Sequence, residues 1–178
     1  MKSMSELAHD FLKPVLHSGA LCIDGTLGYG RDSEFFLKEN VRKVFAYEIQ
    51  PELAQSSKNR LNSKRLVVFE HSHELMEKDL QIYAGSIDAV IFNFGFDPHT
   101  LEGVCTQKES SLEAMKQALN LLRHKGRVAL VFYPHEQGRE EKETLMQELE
   151  GRKDLGVLEI CHPFLDHSPT LVCVEKMH

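Results

Sequence analysis

The chain has 178 residues, 42% of them hydrophobic, which suits a single domain over 1–178 with a substantial core and no second catalytic domain. A formal charge of −6 and a pI near 5.9 exclude a protein that coats nucleic acid through bulk positive charge, so any RNA contact must be local. The four cysteines have no C-x-x-C spacing, no apolar run reaches the roughly twenty residues needed to span a bilayer, and Met1 to Glu6 leads into no signal-peptide segment; a cytoplasmic protein with no membrane partner is expected.

Ala8, Phe11, Leu12 and Val15 recur at helical spacing, which predicts an amphipathic helix from Ser5 to Leu16 that Pro14 ends or bends. Leu21 to Asp24 reads as a buried strand running into a turn with three glycines, Gly25, Gly28 and Gly30, before a helix that opens near Arg31. Such a turn lets the backbone approach a ligand without Cβ interference, and the helix aims its free N–H groups at it. Two cofactors compete for this pocket. A dinucleotide wants G-x-G-x-x-G and an acid about twenty residues on, and Gly28-x-Gly30-x-x-Ser33 with Glu48 supplies most of that, with Ser33 in the last glycine position. S-adenosylmethionine carries an amine and a sulfonium in place of a pyrophosphate, so its loop benefits from an acid inside the turn, where Asp24 stands. The methyl donor is the better match, and a glycine-rich turn that binds nothing is the plain alternative.

Val44 to Tyr47 is the second strand, Glu48 stands at its tip, and Pro51 opens a helix at a first-turn position. An acid there, beside the glycine loop, is placed to accept hydrogen bonds from both hydroxyls of an adenosine ribose. Arg65 to Glu70 predicts a third strand followed by His71-Ser72-His73-Glu74; no further ligand spacing supports a metal, and Ser72 or His73 is expected near the edge of an adenine ring. Ile87 to Asn93 is a near-continuous apolar run, the mark of a central strand in a parallel sheet. It ends in Asn93-Phe94-Gly95-Phe96, an amide, a close-approach glycine and an aromatic platform, which together suggest a base-and-amine pocket.

Asp97 to Lys108 lacks periodicity and is expected to be a substrate loop. Ser110-x-x-Glu113 reads as a capping box before a helix with Leu112, Met115, Ala118, Leu119 and Leu122 on one face, and Gly126 as the turn into a fifth strand, Val128 to Tyr133. Pro134 to Gly138 follows at its tip, and Glu140 to Glu150 reads as a surface helix ended by Gly151. Val157 to Phe164 and Thr170 to Glu175 are too closely spaced for a helical crossover, so an antiparallel hairpin is predicted.

Five strand–helix units closed by a hairpin, with an acid and glycines in the first loop and an acid on strand two, resemble the Rossmann-like class I S-adenosylmethionine-dependent methyltransferases. The implied fold is an α/β, seven-stranded, mostly parallel sheet with an antiparallel C-terminal hairpin and helices on both faces. The joint pattern is more specific. Asp24-Gly25-Thr26-Leu27-Gly28-Tyr29-Gly30-Arg31-Asp32, Tyr47-Glu48-Ile49-Gln50, Ser72-His73-Glu74, Phe92-Asn93-Phe94-Gly95-Phe96 and Tyr133-Pro134-His135 with Gly138 and Glu140-Glu141 are similar to the bacterial rRNA methylase family, the YtqB-like or MnmM group. The chain departs from it at Gly25, Glu48, Phe94 and Phe96, where that family usually has Ala, Asp, Leu and Tyr, has Asp97-Pro98-His99-Thr100-Leu101-Glu102 in place of a Gly-Gly-Asp/Lys-rich loop, and lacks its glycine between Pro134 and His135.

The resemblance implies S-adenosylmethionine held by Asp24, Thr26, Gly28, Gly30, Asp32, Glu48, Gln50, Ser72, His73 and Asn93. It implies an acceptor in tRNA, the exocyclic amine of wobble 5-aminomethyl-2-thiouridine, reached through the anticodon stem-loop. Asn93 and the Phe94 carbonyl would accept amine hydrogens, Phe96 would stack on the base, and Gly95, Tyr133 and His135 would complete the substrate side. Lys108, Arg123, Lys125 and Arg127 offer a local phosphate-binding edge or an ordinary solvated face. Methylation of a small metabolite fits the acidic charge better, a non-catalytic module is the third class, and an NAD-dependent oxidoreductase lacks a substrate domain. Oligomeric state is open between monomer and homodimer.

Overall fold

A computed structural model describes residues 1–94, 107–165 and 167–178. Ser3 and Glu6 form a reciprocal capping box that starts α1 (Met4–Leu12), and Pro14 converts its end into a single 3-10 turn over Lys13–Val15. The apolar runs become β1 (Leu21–Asp24), β2 (Lys43–Tyr47), β3 (Leu66–Phe69), β4 (Ile87–Phe94) and β5 (Leu122–Phe132). With β6 (Leu155–Ile160) and β7 (Thr170–Lys176) they form a seven-stranded sheet in the order β3-β2-β1-β4-β5-β7-β6. Neighbours from β3 to β5 pair in parallel, and β7 inserts antiparallel between β5 and β6. Among the described residues β7 alone runs against the rest, because the second strand of the hairpin is the one that docks on the sheet.

The crossover helices are α2 (Arg31–Lys38), α3 (Pro51–Leu61), α4 (Met76–Asp79), α5 (Lys108–Leu121) and α6 (Glu136–Leu149). Alternation along β4 splits the core. Val90 and Phe92 pack with Met76, Met115 and Leu145 on one face, while Ala89 and Ile91 pack with Ala8, Leu12 and Phe36 on the other. Val90, Ile91 and Phe92 are wholly buried, each burial stabilising by about 1.5–3 kcal/mol, and cover on both faces is why this strand reads as an unbroken apolar run. Its one charge, Asp88, is buried because it accepts the Leu21 amide at 2.9 Å and the Arg123 guanidinium at 2.5 Å, tying the starts of β1, β4 and β5 together.

Several boundaries differ from the sequence expectation, among them that of β6, which runs from Leu155 to Ile160 and not from Val157 to Phe164. Helix α5 opens at Lys108, and the Ser110 hydroxyl donates to the Gln107 carbonyl at 2.9 Å, so Ser110-x-x-Glu113 lies within the helix and is not a capping box. Helix α6 opens four residues before Glu140, because the His135 ring caps it by accepting the Gly138 amide. Strand β5 starts at Leu122, then bulges: Ile87 pairs with Leu122 but Ala89 with Arg127, and Lys125 takes a positive φ of 61°.

Gly25 carries β1 into the turn, donating its amide to the Ile91 carbonyl at 2.9 Å, and a Cβ on it would fall 2.1 Å from the Phe92 ring. Gly25→Ala is therefore expected to cost about 1–3 kcal/mol, the range for overpacking, and Phe92→Leu added to it should recover part of the loss. Urea denaturation of the wild type and both variants checks this; an undiminished Gly25→Ala midpoint would refute it.

Candidate active site

A cavity of about 940 Å³ opens beyond the carboxyl ends of the parallel strands, where the chain order reverses between β1 and β4. Open α/β sheets bind ligands at this position, and the volume is that of a ligand pocket. Its floor is the turn after β1. The Leu27 amide reaches the Tyr47 carbonyl at 2.9 Å and the Gly30 amide the Leu27 carbonyl at 2.7 Å, which coils the loop so tightly that Gly28 and Gly30 take positive φ of 48° and 76°. From outside, the Ser57 hydroxyl donates to the Gly28 carbonyl at 2.6 Å and Arg60 to the Tyr29 carbonyl at 2.8 Å. Helix α3 thus buttresses the loop.

Glu48, at the tip of β2, lines the cavity and accepts one amide on each oxygen, Gly28 at 3.0 Å and Gln50 at 3.0 Å. A carboxylate has about four acceptor positions, so each oxygen keeps capacity for a ligand hydroxyl. His73, beyond β3, donates Nδ1–H to the Gly25 carbonyl at 2.9 Å, which identifies its tautomer, since a carbonyl only accepts. Burial lowers the tendency of the ring to protonate, leaving Nε2 as an acceptor in the cavity wall.

Asn93, near the end of β4, donates its backbone amide to the Thr26 hydroxyl at 2.7 Å and its side-chain amide to Asp32 at 2.5 Å. The other oxygen of Asp32 meets the His9 Nε2 at 2.6 Å. Tyr133, just past β5, lines the cavity with Ser5 of α1, and burial raises its phenol pKa. Ser3, Ser5, Glu6 and His9 therefore close one side of the cavity, a wall that local sequence reading misses. The only local hint is the Ser3-x-x-Glu6 capping signature, which marks the helix start without showing where the helix docks.

Thr26, Gly28, Asp32, Glu48, Gln50, Ser72, His73, Asn93 and Tyr133 all line the cavity. Asp24 does not. It is wholly buried behind the loop, with one oxygen accepting the Ser33 amide at 3.0 Å and hydroxyl at 2.7 Å, and the other the Thr26 amide at 3.2 Å. Gly30 is the cap residue of α2, outside the wall. Phe94 is buried, stacked on Phe92, and its carbonyl accepts the Tyr133 amide at 3.2 Å, which occupies one of its two lone pairs. His135 caps α6 through its ring and is not among the residues that line the cavity. Gly95, Phe96 and most of the expected substrate loop lie outside the described residues. The expected basic edge is largely spent internally. Arg123 pairs with Asp88, Arg127 pairs with Glu175 at 2.7 Å over the Phe11 ring, and Lys108 sits 3.6 Å from Glu140.

Comparison with known proteins agrees with this geometry. Residues 44–175 match the family model described as "Putative rRNA methylase". The chain is 30% identical over 159 residues to the tRNA (mnm(5)s(2)U34)-methyltransferase, chloroplastic, of Arabidopsis thaliana, covering 81% of this chain and 58% of that protein, so it spans little more than half the length of this curated relative. Among solved structures it is similar to a "putative rRNA-methylase" from Clostridium thermocellum, with a TM-score of 0.90 at 27% identity over 99% of each chain. It is also similar to a "putative methyltransferase" from Streptococcus mutans in complex with SAH, with a TM-score of 0.86 at 29% identity over 99% of each chain. Among the described residues no helix is long and apolar enough to cross a membrane.

The Asp24 carboxyl is pushed up to about 7, first by burial and then by the charge of Asp32. A carboxyl harder to ionise in the folded state keeps its proton there preferentially, so its contribution to stability is complete below the ordinary aspartate pKa and is lost as pH rises through about 7. Asp24→Asn, which cannot ionise, is expected to flatten the fall in unfolding free energy between about pH 4 and pH 7. Urea titrations across that window measure it, and parallel pH profiles for the two proteins would contradict it.

Proposed function

This chain belongs to the "Putative rRNA methylase" family and is an S-adenosylmethionine-dependent methyltransferase, and from that premise we propose that its acceptor is the aminomethyl nitrogen of a wobble 5-aminomethyl-2-thiouridine in tRNA. The name of the plant relative supports the choice of acceptor. The observation that carries it here is Asn93. Its side-chain nitrogen is given to Asp32, which leaves its carbonyl oxygen as the acceptor at the cavity wall, suited to an amine hydrogen.

The residues present fit the donor. Gly28 and Gly30 give the loop a coil that no Cβ obstructs, Glu48 keeps acceptor capacity for two ribose hydroxyls, and neutral His73 offers Nε2 to the exocyclic amine of adenine. When bound, the donor supplies an electrophilic methyl group on sulfur. The protein's own work is then placement: it holds the amine with its lone pair aimed at that carbon, in a cavity walled by α1. The protein acts in whichever compartment holds the tRNA, and we take that to be the cytoplasm. A small-amine acceptor is the second reading, favoured by the net charge of −6 and by the internal pairing of Arg123 and Arg127.

Labelled methyl transfer to tRNA lacking the terminal methyl, followed by nucleoside mass spectrometry, tests the reading; label on a small amine and none on tRNA would replace it with the second. Glu48→Ala is expected to weaken SAH binding by about 1.5–3 kcal/mol, the range for hydrogen bonds to a charged group, as calorimetry would measure. Asn93→Ala should separate the two functions, leaving SAH affinity close to wild type while turnover falls, the signature of an interaction made in the transition state. Equal losses in affinity and turnover would return Asn93 to a purely binding role.

A further inference from the structure

His9, Asp32 and Asn93 form a continuous hydrogen-bonded row along the cavity wall, built from three separate elements. Asp32 on α2 is 8% exposed and engages one partner per oxygen, His9 on α1 at 2.6 Å and the Asn93 amide on β4 at 2.5 Å. The His9 ring lies flat on Phe35, with centroids 3.9 Å apart and planes at 4°. His9 also precedes the segment 44–175 that the family model matches, so that match assigns it nothing.

An asparagine amide presents an acceptor oxygen on one side and a donor nitrogen on the other, and rotation by half a turn exchanges them. Only the oxygen suits an amine hydrogen. Asp32, an acceptor when ionised, selects the rotamer by demanding the nitrogen. Yet a carboxylate can itself turn away, and the His9 N–H on one oxygen holds its plane so that the other stays aimed at Asn93. Glu6 on the same helix, Arg31 beside Asp32, and Tyr133 and Asp24 nearby are the other charged or titratable groups around the row. Among the described residues, none of these groups hydrogen-bonds to the Asn93 side chain.

We propose that His9 is a positioning residue for methyl transfer, acting through Asp32 to hold the Asn93 carbonyl oxygen toward the acceptor amine. This rests on the amine acceptor argued above. Helix α1 thereby does more than wall the cavity: its docking completes the catalytic arrangement from outside the cofactor-binding strands.

Two substitutions separate hydrogen bonding from packing. His9→Phe keeps a ring to stack on Phe35 and removes the donor, whereas His9→Gln keeps an N–H at similar reach and removes the stack. His9→Phe is expected to lower kcat about tenfold, with KM for tRNA and SAH affinity within about twofold of wild type, and His9→Gln to recover most of the rate. In the His9→Phe, Asn93→Ala double variant the loss should be no greater than for Asn93→Ala alone, since the first residue acts through the second. Undiminished turnover in His9→Phe, failure of His9→Gln to restore it, or additive losses would overturn the proposal.

A readout that needs no substrate keeps this separate from the choice of acceptor. The Asn93 side-chain amide signal in a nitrogen-15 spectrum, identified by its loss in Asn93→Ala, should shift and lose exchange protection in His9→Phe and hold in His9→Gln. An unmoved signal in His9→Phe overturns the linkage even if tRNA is methylated. A wild type that methylates no tRNA, together with a shifted signal in His9→Phe, overturns the acceptor and supports the row.

Discussion

The carboxyl of Asp24 joins the end of β1 to the start of α2 by accepting the Ser33 amide and hydroxyl on one oxygen and the Thr26 amide on the other. Everything at the ligand end inherits its position from that joint. With Thr26 and Ser33 held, the loop between them must coil through Gly28 and Gly30, and only then does the Gly28 amide meet Glu48 and the Thr26 hydroxyl meet the Asn93 amide. The acid at the end of the first strand is thus a brace behind the site. The acid that faces the cavity is Asp32, two turn-widths of chain further on, and the pair share one field: the charge of Asp32 helps to keep Asp24 protonated near neutrality.

That division of labour has a physical logic. A carboxylate sealed from water costs free energy unless donors surround it, so Asp24 is stable only with its three donors and is poorly suited to exchange them for a ligand. Asp32 and Glu48 sit at the wall, where solvent or a ligand can serve their remaining lone pairs. The burial that makes Asp24 a good brace therefore makes it a poor binding group, and Asp32 and Glu48, which line the cavity, are better placed to meet a ligand.

The sheet and the floor of the site were legible because they depend on local pattern. Continuous apolar runs ending at Asp24, Tyr47 and Phe94 gave central parallel strands, the short spacing between the last two strands required a hairpin, and glycines with Glu48 marked the pocket. What was not legible depends on distant partners. The start of α6 was misplaced because His135 is an unusual cap, and the bulge of β5 brings Gly126 so near the Ile87 carbonyl that a Cβ there would stand 2.9 Å from its oxygen. Arg123 and Arg127 read as a free basic edge because nothing near them in sequence names Asp88 or Glu175. The wall formed by α1 was missed for the same reason: the face carrying Ser5 and His9 is polar, and only the fold brings Tyr133 and Asp32 to it.

The charge of the cavity bears on how an acidic protein would handle a polyanion. Glu6, Asp32, Glu48, Glu74 and Glu109 line it against one arginine, Arg31, among the described residues. Such a wall attracts an ammonium-bearing acceptor and repels phosphate, so the reacting amine and the backbone of an RNA would be sorted at the rim by sign of charge. Bulk electrostatic affinity, which falls with salt and reads no sequence, would then contribute little, because the net charge is −6 and Arg123 and Arg127 are paired within the fold. On the acceptor proposed above, discrimination would rest on whether a base carries an amine that can reach past the rim. For a chain of net charge −6, that reading would make recognition of the acceptor group, more than attraction to the polymer, the selective step.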